Sequence, residues 1–260
     1  MKAALHTHGL GVSFGAFRAV NDVNLSLEPG TRQALIGPNG AGKTTLINLL
    51  TGVVRPTAGR IEMLGEDITS LSPDKRARRG LARTFQINTL FPSLTPLLSV
   101  VLAISEREGL GAVWWRPLKH NKAVFNEARV LLERLRLGTL ADVPVAELAY
   151  GKQRLLEIAL AMAAKPRILL LDEPAAGVPE DESGELFEAI AELPQDISVL
   201  FIEHDMNLVF RFSRRISVLV TGQILTEGTP TEIGADPRVR EVYLGHGRRP
   251  NVTTSGATHV

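Results

Sequence analysis

The chain has 260 residues, 44% of them hydrophobic and 22% charged, with a formal net charge of +1 and no cysteine. That length supports a buried core, the near-neutral charge provides no strong attraction to nucleic acid or an acidic membrane surface, and the lack of cysteine excludes disulfides, thiol catalysis and Cys-based zinc sites. No apolar run approaches the ~20 residues needed to span a bilayer, no signal peptide is expected from the first residues, and Leu97–Ile104 and Ile168–Leu171 are expected to be buried core.

Val23, Leu25 and Leu27 alternate with Asn24 and Ser26, the pattern of a half-buried strand, which the turn pair Pro29-Gly30 ends. Ala34-Leu35-Ile36 is a short apolar run that meets a Gly-rich loop at Gly37. A helix is predicted from about Lys43, with Gly52 as its C-terminal stop. Strand, Gly-rich loop and helix together open an α/β unit. Farther on, Val124, Ala128, Leu131, Leu132 and Leu135 recur at the spacing of one helix face, and a second helical stretch is predicted from about Gln153 to Ala163. No strand is predicted between about Thr89 and Ala164. The expected organisation is an α/β core of residues 1–88 and 164–246 with a helical subdomain, 89–163, inserted into it, and a disordered polar tail at 247–260. Strands are predicted again at Arg167–Leu171 and Ser198–Ile202, as in a parallel sheet, and Ser217–Leu225 reads as a hairpin turning at Thr221-Gly222.

Gly37-Pro38-Asn39-Gly40-Ala41-Gly42-Lys43-Thr44 matches G-x-x-x-x-G-K-[ST] in full. The glycines let the backbone wrap around phosphate oxygens with N–H groups pointing inward. The following helix adds its positive N-terminal end. Lys43 is expected to neutralise β- and γ-phosphates, Thr44 to hold Mg2+ through its hydroxyl, and Thr45 to add a phosphate ligand. A Gly-rich turn with a chance lysine is the bland reading, and the strand before and helix after the loop argue against it. The motif alone signifies a nucleoside triphosphate without separating kinases, GTPases and ATPases.

Ile168-Leu169-Leu170-Leu171-Asp172-Glu173 runs a buried strand into two carboxylates. Adjacent acids there are costly unless cations or substrate meet them. Asp172 is the candidate Mg2+ ligand, and Glu173 the candidate general base; an ordinary polar strand-end turn is the alternative. Of the six histidines, His204 stands at the end of an apolar strand, where ligands gather in open α/β sheets. It can hydrogen-bond a γ-phosphate or simply complete a turn.

Between these motifs, Leu148-Ala149-Tyr150-Gly151-Lys152-Gln153-Arg154 resembles the L-S-G-G-Q signature loop of ABC (ATP-binding cassette) ATPases. The order phosphate loop, Gln86, signature, Asp172-Glu173-Pro174 and His204 resembles a complete cassette over about residues 3–246. The resemblance implies a P-loop NTPase (RecA-like) α/β core with an antiparallel β subdomain and an inserted α-helical subdomain. It further implies ATP and Mg2+ as ligands, bound between two cassettes packed head to tail. Tyr150 and Gly151 would then meet the γ-phosphate held by the other cassette's phosphate loop. Phe14 resembles the aromatic that stacks on adenine, and Gln86 the residue that links metal site and membrane subunits, with Ile87–Thr95 forming part of the permease dock.

Arg83-Thr84-Phe85-Gln86, Ile68-Thr69 followed by a basic helix, Asp172–Val178, Glu203-His204-Asp205-Met206 and Tyr243-Leu244-Gly245 resemble LivG-type ATPases of branched-chain amino-acid importers. That implies two permease subunits, a periplasmic or extracellular solute-binding protein, no nucleic acid, and a peripheral place on the cytoplasmic face of the cell (inner) membrane. Ala149 and Lys152 depart from the signature serine and glutamine, Ala175–Pro179 from the usual S-A-L-D, and Leu97-Leu98-Ser99 from the acidic pattern near the dock; Trp114-Trp115 falls in a variable insert. The leading expectation is an ATPase that drives transport. A soluble regulatory or assembly ATPase, and a module that holds ATP without turnover, are the alternatives.

Overall fold

The computed structural model describes residues 2–84, 90–110 and 121–244. Gln86, the Trp114-Trp115 pair and the tail expected at 247–260 lie outside them. The strands are β1 (Leu5–Phe14), β2 (Phe17–Val23), β3 (Ser26–Leu27), β4 (Arg32–Ile36), β5 (Ala58–Met63), β6 (Glu66–Asp67), β7 (Leu81–Arg83), β8 (Ile168–Asp172), β9 (Ser198–Ile202), β10 (Arg215–Val220) and β11 (Gln223–Gly228). The helices are α1 (Lys43–Thr51), α2 (Pro73–Arg78), α3 (Pro96–Arg107), α4 (Lys122–Arg134), α5 (Tyr150–Ala163), α6 (Glu180–Ala191), α7 (Met206–Phe212), α8 (Pro230–Ala235) and α9 (Pro237–Leu244).

Among the described residues the strands form two sheets. One is antiparallel, in the order β2-β1-β5-β6, with β3 also on β1. The other runs β11-β10-β4-β9-β8-β7, parallel throughout except for the edge pair β10–β11. Strands β4, β8 and β9 are buried at every position, as parallel strands covered on both faces must be. Their side chains alternate between two cores. Ala34, Ile36, Leu169, Leu171, Val199 and Phe201 join a cluster with Val100, Ala128, Leu155 and Phe187 of α3 to α6. Leu35, Leu170, Leu200 and Ile202 face the opposite way, toward Leu46 and Leu49 of α1 and toward Leu10 and Ile61 of the antiparallel sheet.

Several predicted elements shift. Val23, Leu25 and Leu27 are buried as the alternation requires, but the strand breaks between β2 and β3. The Asn24 side chain causes the break, since its Oδ1 accepts the Gly9 N–H at 2.8 Å and its Nδ2 donates to Asp22 O at 3.1 Å. Leu97–Ile104 is not core throughout: on α3 Leu97, Val100, Val101 and Ile104 are buried, while Leu98 and Leu102 are 43% and 44% exposed. Helix α5 begins at Tyr150 rather than near Gln153, because the Glu182 carboxylate of α6 accepts the Gly151 N–H at 2.9 Å and so supplies a first-turn acceptor that the Ala149 cap lacks. Gly52 does end α1, in the left-handed region at φ 80°. The β10–β11 turn takes φ 46° and 79° at Thr221 and Gly222, a primed hairpin turn.

Candidate active site

Strand β4 delivers Gly37 to the floor of the phosphate loop. A side chain is impossible there, since a Cβ on Gly37 would stand 2.1 Å from Leu219 O. Gly42, at φ 103°, occupies the N-cap of α1 and offers no side-chain acceptor, so the first-turn N–H groups remain directed at the loop. Lys43 Nζ donates to Gly37 O at 2.8 Å and Pro38 O at 3.1 Å. Burial pulls the ammonium below the usual lysine range, and the nearby charges of Glu173 and Asp172 oppose that pull. Asn39, Gly40, Ala41, Gly42, Lys43, Thr44 and Thr45 line a cavity of about 330 Å³ together with Phe17, Ala19, Glu173 and His204.

The acid pair lies at the end of β8. Asp172 is buried, and its Oδ2 accepts from Arg83 Nη2 at 2.8 Å while Arg83 Nη1 donates to Asn48 Oδ1 at 2.7 Å. The other carboxylate oxygen, Asp172 Oδ1, is buried with no hydrogen-bond partner among the described residues. Glu173 sits at φ 51°, a left-handed conformation that costs a non-glycine residue about 1–3 kcal/mol. That conformation turns its carboxylate toward the neighbouring strand end, where Glu173 Oε1 and His204 Nε2 stand 2.8 Å apart. The residues expected as base and phosphate sensor therefore meet, at the mouth of the phosphate-loop cavity.

Glu203 was not singled out from the sequence. It is buried, and its carboxylate accepts the Ala175 N–H at 2.9 Å and the His204 N–H at 3.1 Å. Burial pushes its carboxyl above the usual range, with the two backbone bonds opposing. It ties the loop after Glu173 to the strand end that carries His204. The argument applied to Asp172, an acid ending a core strand, would have found it.

Three expected ligands stand elsewhere. Phe14 is 52% exposed at the end of β1, paired across the turn with Phe17, and it is Phe17 that lines the cavity. Tyr150 and Gly151 do not line their own chain's cavity. Tyr150 Oη accepts from Arg154 Nη2 at 2.5 Å, and Gly151 is held by Glu182. Gln86 lies outside the described residues.

The family profile described as "ABC transporter" matches residues 20–176, and the profile "Branched-chain amino acid ATP-binding cassette transporter" matches residues 223–248. The chain is 42% identical over 248 residues to the high-affinity branched-chain amino acid transport ATP-binding proteins BraF of Pseudomonas aeruginosa and LivG of Escherichia coli, covering 93% of this chain and 97% of each relative. Among solved structures, the ADP conformation of MJ1267, an ATP-binding cassette of an ABC transporter, superposes with a TM-score of 0.82 at 32% identity, covering 94% of this chain and 100% of that one. A profile that spans the phosphate loop and the acid pair, with relatives matched over nearly their whole length, means that the chain belongs to the ABC transporter family, as one of its ATP-binding cassettes.

Proposed function

We propose that the chain is the ATP-hydrolysing motor of an importer for branched-chain or related amino acids. The observation that carries the ATPase reading is the Glu173–His204 pair facing the phosphate loop across one cavity. The amino-acid reading is supported by the names of the relatives and by the match at residues 223–248. No helix among the described residues is long and apolar enough to cross a membrane. In this reading, which rests on the relatives, two permease subunits on other chains carry the force to the bilayer. The place of action is the cytoplasmic face of the cell (inner) membrane, and a periplasmic or extracellular binding protein delivers the solute.

In this reading residues 1–88 and 164–246 form the ATP-binding core and residues 89–163 the signature subdomain. The phosphates of ATP lie along the N–H groups of Asn39 to Thr45, with Lys43 as their cation. Adenine stacks on the aromatic edge that Phe14 and Phe17 form. The donor set suits Mg2+, a hard cation that takes oxygen ligands: Thr44 offers a hydroxyl, Asp172 Oδ1 is a buried carboxylate oxygen with no other described partner, and Gln86 would complete the set. When bound, Mg2+ would neutralise charge on the transferring phosphoryl group. Glu173 accepts a proton from the attacking water, and ATP and water give ADP and phosphate. His204 holds the Glu173 carboxylate in place through Nε2. Tyr150 and Gly151 act on the ATP of a second cassette, a copy or a related chain, packed head to tail. ATP binding closes that pair and hydrolysis reopens it, which drives the permease.

Substituting Glu173→Gln is expected to keep ATP binding and reduce turnover by about 10²–10⁴, read by nucleotide titration and phosphate release. Turnover near normal would remove Glu173 as the base. Affinity purification from membranes tests the transport reading: co-purified permeases, a second cassette and a solute-binding protein support it, and a purely soluble complex would sink it.

A further inference from the structure

Three side chains bury a polar atom that has no hydrogen-bond partner among the described residues: Arg154 Nε, Glu157 Oε1 and Asp172 Oδ1. The residues are only 6%, 9% and 4% exposed. Buried polar atoms are seldom left unpaired, and these three are neighbours. With Thr84, Ile158 and Pro174, their residues line a single cavity of about 10 Å³. That is room for one water molecule and for little else.

The lining selects the occupant. The Arg154 Nε–H is a donor, and the two carboxylate oxygens are acceptors. A water accepts from the first and donates a proton to each of the others, three bonds, as a buried water usually makes. A metal cation would instead face the N–H and the positive charge of the guanidinium. The other atoms of the same groups are already committed. Arg154 Nη1 donates to Glu157 Oε2 at 2.7 Å and Nη2 to Tyr150 Oη at 2.5 Å. Asp172 Oδ2 accepts from Arg83, which also holds Asn48 of α1. One set belongs to the signature helix α5 and the other to the acid at the end of β8, and the cavity lies between them. An ionised carboxylate has about four acceptor sites, so a water on Asp172 leaves sites for Mg2+.

We propose that one buried water joins Arg154, Glu157 and Asp172, and that through it Glu157 is a positioning residue for the metal-binding carboxylate. The helix that presents Tyr150 to a second cassette's ATP thereby aims the metal acid of its own chain. The proposal rests on the assignment of Asp172 to Mg2+ above.

The test uses the full chain and two readouts. High-resolution crystals are expected to show one water in hydrogen-bond contact with all three atoms. No density there, or a metal ion, would overturn the proposal, and this readout stands even if a variant does not fold. The second readout is the Kd of a fluorescent, non-hydrolysable ATP analogue, measured with Mg2+ and with EDTA in its place; the ratio gives what the metal adds. Glu157→Gln keeps the size of the side chain and an oxygen for Arg154, and it removes the charge and one acceptor. It is expected to cut the ratio about threefold to tenfold, the effect of one lost hydrogen bond. The Kd in EDTA should stay close to wild type, with a cooperative urea transition retained. An unchanged ratio would overturn the proposal, and so would equal losses with and without the metal, the mark of a merely structural residue. A wild-type chain that binds the analogue equally in Mg2+ and EDTA would overturn the metal reading and the proposal with it. One that does not bind the analogue at all would overturn the ATP-binding reading itself.

Discussion

Arg76 shows how far a residue can depart from its appearance in the sequence. It reads as one cation of a basic helix, yet it is 1% exposed. Its guanidinium donates to Leu49 O and Leu50 O at 2.7 Å, Thr69 O at 2.8 Å and Leu71 O at 3.0 Å. The first two are carbonyls of the last turn of α1, of which Leu49 O also accepts the Gly52 N–H at 3.2 Å, so Arg76 adds a charged cap to the helix that the phosphate loop begins. Arg76→Met is expected to lose about 3–5 kcal/mol in urea unfolding, because four buried carbonyls lose a charged donor. A loss under ~1 kcal/mol would show that water replaces it. The aromatic edge is also decided at this scale. Phe14→Ala and Phe17→Ala are each expected to raise KM for ATP about tenfold, from a stacking contribution of roughly 1–3 kcal/mol. An effect confined to one variant identifies the ring that holds the base.

At the scale of elements, α5 starts on an acceptor borrowed from α6. Helix α5 carries a buried pair, Arg154 to Glu157 at 2.7 Å, with the Arg154 guanidinium also 4.9 Å from the Tyr150 ring centre. Burial pushes the Glu157 carboxyl up, against the pull of Arg154. Removing Glu157 alone strands a buried cation, so Glu157→Ala is expected to cost about 3–5 kcal/mol and Glu157→Gln less. Helix α9 has a pH signature. In the fold Tyr243 keeps its proton up to about 12 against an ordinary value of 10.0. Between those values the folded chain binds a proton that the unfolded chain releases, so stability falls as pH rises through that window. Absorbance titration of the phenolate should show a late step that Tyr243→Phe abolishes; a step at the ordinary tyrosine value would mean that α9 does not bury the ring.

For the whole molecule, the decisive point is that one chain does not bring its signature to its own phosphate loop. Tyr150 and Gly151 lie outside the cavity that the loop, Glu173 and His204 share. Mixing Lys43→Ala and Gly151→Asp chains, each inactive alone, is therefore expected to recover activity. The mixed pair contains one site with an intact loop from one chain and an intact signature from the other. No recovery would mean that two copies of this chain do not share a site, either because the second cassette is a related chain or because each site is complete within one chain. Much of this was legible in the sequence. The spacing of Gly37 to Thr44, the strand that ends in Asp172-Glu173 and the histidine after Ser198–Ile202 are local patterns, and local backbone geometry follows from neighbours in the chain. The helical stretches and the hairpin were legible for the same reason. Asn24 broke an expected strand because its side chain found Gly9, fifteen residues away. The remaining contacts, Arg83 to Asp172, Glu203 to Ala175 and Arg76 to the end of α1, join residues distant in sequence. The sequence by itself determined which chemistry is present. Only the tertiary structure decided which groups meet, because the order β4-β9-β8 in the sheet, not position along the chain, sets those distances.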